Sequence, residues 1–215
     1  KIKNSIYYSL EFNGYLKLIS NVKRKLKDKT MNYGKFNKNK KVVFKDIFYT
    51  NLDKDEVVKN NISLDKNNII TGPNASGKTT IIKSVLLNLI LMQSIGVGYF
   101  KTATIEPFDL LFCYLNIPDT SGRDSLFQAE AKQCLEIINC VKENNNKRIF
   151  CIFDELYSGT NPDEAIASAN AFVEYLIKNN VSFLLTTHFI QLCKNLENNK
   201  NIKNCKMQIE EKNND

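Results

Sequence analysis

Apolar positions follow different rhythms along this chain, and each rhythm predicts an element. Ile6, Leu10, Leu16, Ile19, Val22 and Leu26 recur at helical spacing and predict a helix over residues 5–27, bent near Gly14. Its end carries Lys23, Arg24, Lys25 and Lys27, which complement the negative end of the helix dipole. Residues 30–41, rich in Asn and Lys around a glycine, read as a loop or linker. Residues 42–49 are β-branched and aromatic and predict a strand, and residues 53–61 a polar connection. Residues 62–64 and 68–71 then predict a hairpin or bent strand. Residues 78–94 predict a helix ended by Gly96 and Gly98. The apolar passage 81–100 approaches membrane length, but Lys83, Asn88 and Gln93 interrupt it, so it is expected to lie buried against a sheet.

In the second half the pattern changes to short continuous apolar runs. Residues 108–115, after Pro107, predict a strand; the polar residues 119–125 cap a helix over 126–143, which residues 144–147 close. Residues 148–153, apolar throughout after Arg148, form a run ending in Asp154 and Glu155, the pattern of a central parallel strand buried on both faces. Asn161-Pro162-Asp163-Glu164 starts a helix reaching residue 178, with proline and carboxylates where a first turn favours them. Residues 181–186 predict a second buried strand ending at Thr187 and His188, and residues 190–196 a short helix. The tail 198–215 is polar apart from Met207 and Ile209 and is expected to fray.

Strands alternating with helices predict an α/β fold with a mostly parallel central sheet and right-handed crossovers. The division expected is a helical segment and linker over residues 1–40 and an α/β domain over 41–215. Ligands in such sheets sit at the carboxyl ends of strands, where Thr71-Gly72, Asp154-Glu155 and Thr187-His188 are all expected.

The first of these clusters has a specific chemistry. Gly72, Pro73, Asn74, Ala75, Ser76, Gly77, Lys78, Thr79 and Thr80 fit a phosphate-binding loop, a Gly, four residues and Gly-Lys-Thr, between a strand-like and a helix-like run. Glycines let backbone N–H groups turn inward around phosphate oxygens, and the helix starting near Lys78 adds its positive end. Lys78 is expected on the β/γ-phosphates, the Thr79 hydroxyl on Mg²⁺, and Asn74 and Ser76 within reach of the phosphate chain. Asp154 suits the acid that holds Mg²⁺, directly or through water, and Glu155 the base that takes a proton from an in-line water. His188, the one histidine, stands where it can sense the γ-phosphate by hydrogen bonding.

Composition narrows this picture only slightly. The 215 residues are 43% hydrophobic, enough for a core, and 30 Lys+Arg against 23 Asp+Glu give a net charge of +7. That charge is compatible with a nucleic-acid partner, but the lysines are spread along the chain without a compact basic face. Six cysteines, none in Cys-x-x-Cys spacing, and one histidine leave little for a zinc site. With no secretory signal they read as reduced thiols of an intracellular protein. The chain opens on Lys1, which suggests a segment of something longer.

Taken together, residues 71–80, then Asp154-Glu155-Leu156-Tyr157-Ser158-Gly159-Thr160, then Thr186-Thr187-His188-Phe189 resemble the C-terminal ATPase domain of the MutS family of DNA mismatch-repair proteins, a branch of the ABC-type ATPases. Residues 93–100 are similar to the family's segment after the first helix, and Ser121-Gly122-Arg123-Asp124-Ser125-Leu126-Phe127 to its Ser-Gly-Arg-Ser-Thr-Phe signature. Residues 57–62, with Asn60, resemble the segment flanking the nucleotide. Where the family has Met-Gly in the loop this chain has Ala75-Ser76, and where it has Gly-Arg-Gly-Thr this chain has Tyr157-Ser158-Gly159-Thr160.

The resemblance implies a P-loop NTPase sandwich of three layers, ATP and Mg²⁺ as ligands, and ATP hydrolysis with Glu155, His188 and Lys78 as catalytic groups. It implies a second MutS-like ATPase domain as partner, in a homo- or heterodimer. Ser121, Gly122, Arg123, Asp124 and Ser125 would close over that partner's ATP. Double-stranded DNA would be held by domains outside this segment, with the helix over 5–27 as the base of a lever to them. An SMC-type or transporter-type ATPase would carry Leu-Ser-Gly-Gly-Gln, which is absent. A recombination-related MutS homologue, or a dimer scaffold that binds nucleotide without turnover, are the alternatives.

Overall fold

The computed structural model describes residues 2–39, 41–50, 57–115 and 126–208. Five parallel strands in the order β11-β5-β10-β9-β8 form the central sheet: β5 (Asn67–Thr71), β8 (Leu110–Tyr114), β9 (Ile149–Asp154), β10 (Ser182–Thr187) and β11 (Ile202–Lys206). Every pairing within it is parallel. This is the α/β architecture with a parallel central sheet that the alternation of runs predicts, and it is consistent with a P-loop-like fold.

The side-chain alternation of β9 shows why the sheet sits in the middle. Phe150 and Ile152 join Ile70 and Leu184 on one face, while Cys151 and Phe153 join Ile69, Phe183 and Leu185 on the other. A strand apolar at every position has to be covered twice. Helices α3 (Leu126–Glu143), α4 (Pro162–Lys178) and α5 (Ile190–Leu196) cover one face. On the other lies α2 (Lys78–Ile95), apolar round most of its circumference and sandwiched between the central sheet and a second one. Gly96, at φ +73, ends α2 with its N–H on the Met92 carbonyl. The Asn161 side chain caps α4 by accepting from the Asp163 N–H.

The second sheet has the order β2-β7-β3-β4, from β2 (Lys35–Phe36), β3 (Val43–Ile47), β4 (Asn60–Ser63) and β7 (Thr102–Ile105). A two-stranded ribbon joins β1 (Asn32–Tyr33) to β6 (Val97–Gly98). Residues 32–36, read from sequence as linker, are therefore paired to residues 97–105. The expected hairpin of residues 62–64 with 68–71 does not form. Strand β4 pairs antiparallel with β3, whereas β5 goes to the central sheet. The cause is burial: β5 is buried at three consecutive positions and needs cover on both faces, which β4, with one exposed and three half-buried positions, does not.

The tail likewise departs from expectation up to residue 208. Strand β11 pairs with β5 along its length, and the Met207 N–H donates to the Thr71 carbonyl at 2.7 Å. Backbone pairing needs no apolar side chains, and only Ile202 of β11 is buried, so hydrophobic pattern underrates such an edge strand. Residues 209–215 lie outside the described part.

Helix α1 (Ile2–Lys27) runs through Gly14 as one element. Its apolar residues Ile6, Leu10, Leu16 and Ile19 are exposed, and it joins the domain near its C-terminal end, where Lys25 Nζ donates to the Tyr99 hydroxyl at 2.8 Å and lies over the same ring. No helix among the described residues is long and apolar enough to cross a membrane.

Asn88, fully buried in α2, ties the helix to the second sheet. Its Nδ2 donates to the Ser84 carbonyl, and its Oδ1 accepts from the Tyr99 N–H at 2.5 Å. Asn88→Ala leaves that N–H unmatched, and urea denaturation is expected to show a loss of about 1–3 kcal/mol.

Candidate functional site

Register places the site before any side chain is considered. Thr187 lies opposite Thr71, and Thr186 opposite Asp154, so the carboxyl ends of β5, β10 and β9 are level. From Thr71 the backbone turns through residues 72–77 into α2, with Ala75 at φ +60 and Gly77 at φ +89. A Cβ on Gly72 would come 2.7 Å from Ser76 Oγ and 2.9 Å from Met207 Cβ, closer than such atoms approach. Only glycine fits there. No side chain caps the start of α2, so its first-turn N–H groups face the loop as a ready anion site. The buried Ser76 Oγ has no hydrogen-bond partner among the described residues, a further polar atom suited to an oxyanion.

Lys78 is almost wholly buried, and its ammonium donates to the Gly72 carbonyl at 2.8 Å and the Pro73 carbonyl at 3.2 Å, with Glu155 Oε1 at 3.4 Å. Thr79 Oγ1 donates to Asp154 Oδ2 at 2.8 Å, while the buried Thr186 hydroxyl donates to Asp154 Oδ1 at 2.5 Å. Both carboxylate oxygens of Asp154 are thus oriented by hydroxyls. A hydroxyl and a carboxylate are hard oxygen donors, and Mg²⁺ takes one or two such protein ligands while keeping several waters, so Thr79 and Asp154 fit that ion.

Glu155 adopts φ +56, a left-handed conformation costing a non-glycine residue about 1–3 kcal/mol, and its N–H donates to the Thr186 carbonyl at 3.1 Å. That turn aims its carboxylate between Lys78 and His188, whose Nδ1 is 3.8 Å from Glu155 Oε2. His188 is about half exposed and packs on Phe189. The cavity of about 550 Å³ in front of the loop is lined by residues 74–80, Asp154 and Glu155, together with Tyr114, Leu126, Glu130 and Ser158.

The structure therefore gathers Gly72, Pro73, Asn74, Ala75, Ser76, Gly77, Lys78, Thr79, Thr80, Asp154, Glu155 and His188 at one sheet edge. Asn60 lies elsewhere, on β4 opposite Ile47, and does not line this cavity. Ser121, Gly122, Arg123, Asp124 and Ser125 fall outside the described residues.

Sequence reasoning missed Glu130, a buried carboxylate on α3 at the far wall of the cavity. Its signal was legible: Glu130, Cys134, Ile137 and Val141 form the buried stripe of α3, and a carboxylate at a core position of that stripe calls for a reason. Burial and the nearby Glu130 charge push the Tyr114 hydroxyl far above its usual range, and burial drives the Cys134 thiol up to about 11.

An α/β domain with a parallel sheet, a glycine-lined anion loop after β5 and paired acids at the end of β9 is the class this geometry defines. Comparison with known proteins then makes it particular. The family model described as MutS domain V matches residues 68–215, and the chain belongs to the MutS family. It is 27% identical over 180 residues to an Endonuclease MutS2 from Staphylococcus epidermidis, covering 81% of this chain and 22% of that protein. To an Endonuclease MutS2 from Finegoldia magna it is 32% identical over 163 residues, 74% of this chain and 20% of that protein. To MutS protein homolog 4 from Homo sapiens it is 34% identical over 129 residues, 58% and 13% respectively. The chain thus spans about a fifth of the length of the MutS2 relatives it matches.

Thr186→Val removes one of the two hydroxyls on Asp154 while keeping the side chain's shape. A hydrogen bond to a charged group contributes about 1.5–3 kcal/mol, and chemical denaturation of this variant is expected to show a loss of that order.

Proposed function

We propose that this domain binds and hydrolyses Mg²⁺-ATP as the engine of a MutS-like DNA-repair protein. The observation that carries the reading is the convergence of Lys78, Thr79, Asp154 and Glu155 within hydrogen-bonding or ion-pairing reach of one another at the mouth of an anion-binding loop. A domain that only held nucleotide would have no need for a second carboxylate in a strained backbone conformation beside the first.

In this mechanism the loop amides, Ser76 and Lys78 hold the phosphate chain, and Lys78 exchanges its carbonyl and carboxylate partners for phosphate oxygens. Mg²⁺, when bound by Thr79 and Asp154, neutralises developing charge on the phosphates. Glu155 accepts a proton from a water whose oxygen forms the new bond to the γ-phosphorus, while the bond from that phosphorus to the bridging oxygen breaks and its electron pair leaves with ADP. His188, beside Glu155, hydrogen-bonds the γ-phosphate side of the site.

The domain works as a head-to-tail dimer with a second MutS-like ATPase domain, identical or not, in which residues 121–125 complete the partner's site. Closure is passed along α1 to parts of the longer protein that hold double-stranded DNA in an intracellular compartment. Support for this comes from the family membership, from the two MutS2 relatives being named endonucleases, and from the exposed apolar residues of α1.

Glu155→Gln is expected to retain ATP affinity, to accumulate as an ATP-bound dimer in size-exclusion chromatography, and to lose turnover by about 100-fold or more. Wild-type turnover in this variant would remove Glu155 as the base. Lys78→Ala is expected to abolish nucleotide binding in equilibrium dialysis, and an unchanged affinity would refute the phosphate-loop assignment.

A further inference from the structure

Glu130 has no part in the chemistry above, yet it is 2% exposed, and a carboxyl group that deeply buried must be matched by hydrogen-bond partners. Among the described residues, its hydrogen bonds come from the turn that follows Asp154 and Glu155, with the Tyr114 hydroxyl beside it. Glu130 Oε1 accepts from the Ser158 N–H at 3.2 Å and the Ser158 hydroxyl at 3.4 Å, and Oε2 accepts from the Gly159 N–H at 3.4 Å.

The same turn is strained and tightly packed. Glu155 and Tyr157 are both at positive φ, +56 and +58, a conformation that persists in non-glycine residues only where the surroundings enforce it. Two further contacts come from the start of α3. A Cβ on Gly159 would lie 2.6 Å from Leu126 Cγ and 2.7 Å from Leu126 Cβ, and the Phe127 ring is 5.5 Å from that of Tyr157. Helix α3 therefore grips residues 157–159 at three successive points of one helix face.

We propose that Glu130 is a positioning residue: by anchoring the Ser158 and Gly159 amides to α3 it holds the strained turn that aims Glu155. This rests on the reading of Glu155 as the base for ATP hydrolysis. Residues 155–159 are continuous backbone, so releasing two anchored amides lets the left-handed residues relax, and the Glu155 carboxylate swings away from Lys78 and His188. Nucleotide affinity rests mainly on residues 72–80, between β5 and α2, so a positioning role lowers kcat more than it lowers affinity.

The test uses Glu130→Gln, which keeps the volume and leaves one acceptor oxygen in place of two, and Ser158→Ala as a milder variant with one donor fewer. For Glu130→Gln the expected result is kcat lower by about 10- to 100-fold, the loss expected of a misaimed group, with ATP affinity within about 2-fold of wild type. Ser158→Ala is expected to fall between the two. Unchanged kcat in soluble, folded Glu130→Gln would overturn the proposal, as would parallel losses of kcat and affinity. Two readouts are independent of turnover. Amide exchange at Ser158 and Gly159 should accelerate in Glu130→Gln, and the imidazole resonance of His188, the chain's one histidine, should shift as Glu155 moves. If the wild-type domain proves unable to hydrolyse ATP, the catalytic reading fails while these two measurements still decide the anchor: slow exchange with an unmoved His188 resonance rejects it.

Discussion

The level parallel register of β5, β10 and β9 is the constraint from which the site follows. Thr71 is held opposite Thr187 and Thr186 opposite Asp154 by backbone pairing, so an anion loop, a pinned carboxylate and a histidine arrive at one edge though they are far apart in sequence. In a strand, a slip of one residue turns every side chain to the other face. Burial on both faces by α2 on one side and α3, α4 and α5 on the other makes such a slip costly here, since Phe150, Ile152, Cys151 and Phe153 all have assigned places in the core.

Polar groups refine what the register establishes. Asp154 is oriented by Thr79 from the loop's own helix and by Thr186 from the neighbouring strand, so the two halves of the site are hydrogen-bonded to each other through one carboxylate. Lys78 is tied separately, to the Gly72 and Pro73 carbonyls of the loop and to Glu155. On the far wall Glu130 performs the equivalent service for the turn carrying Glu155. The edge strand β11 closes the other side, with Met207 against Gly72.

The outer parts of the molecule follow a different logic. The second sheet and the β1-β6 ribbon enclose α2 and bring residues 32–36 into the same packed body as residues 97–105. Helix α1 leaves that body with its apolar residues uncovered along most of its length. The MutS relatives that the chain matches are several times longer than this chain.

Local pattern alone decided strands β5, β8, β9 and β10, the helices α2 to α5 and the candidate residues of the loop, the paired acids and the histidine. Continuous apolar runs, glycine and proline punctuation and the spacing around Lys78 are short-range signals that need no partner to be read. Tertiary structure alone decided where β4 parts from β5, that residues 202–206 pair with β5, and that residues 32–36 are strands, because backbone pairing leaves little trace in side-chain hydrophobicity. It also decided the role of Glu130, whose place in the α3 stripe was visible but whose donors, on a turn 28 and 29 residues away, were not. Pairing likewise decided the place of Asn60, opposite Ile47 on the second sheet.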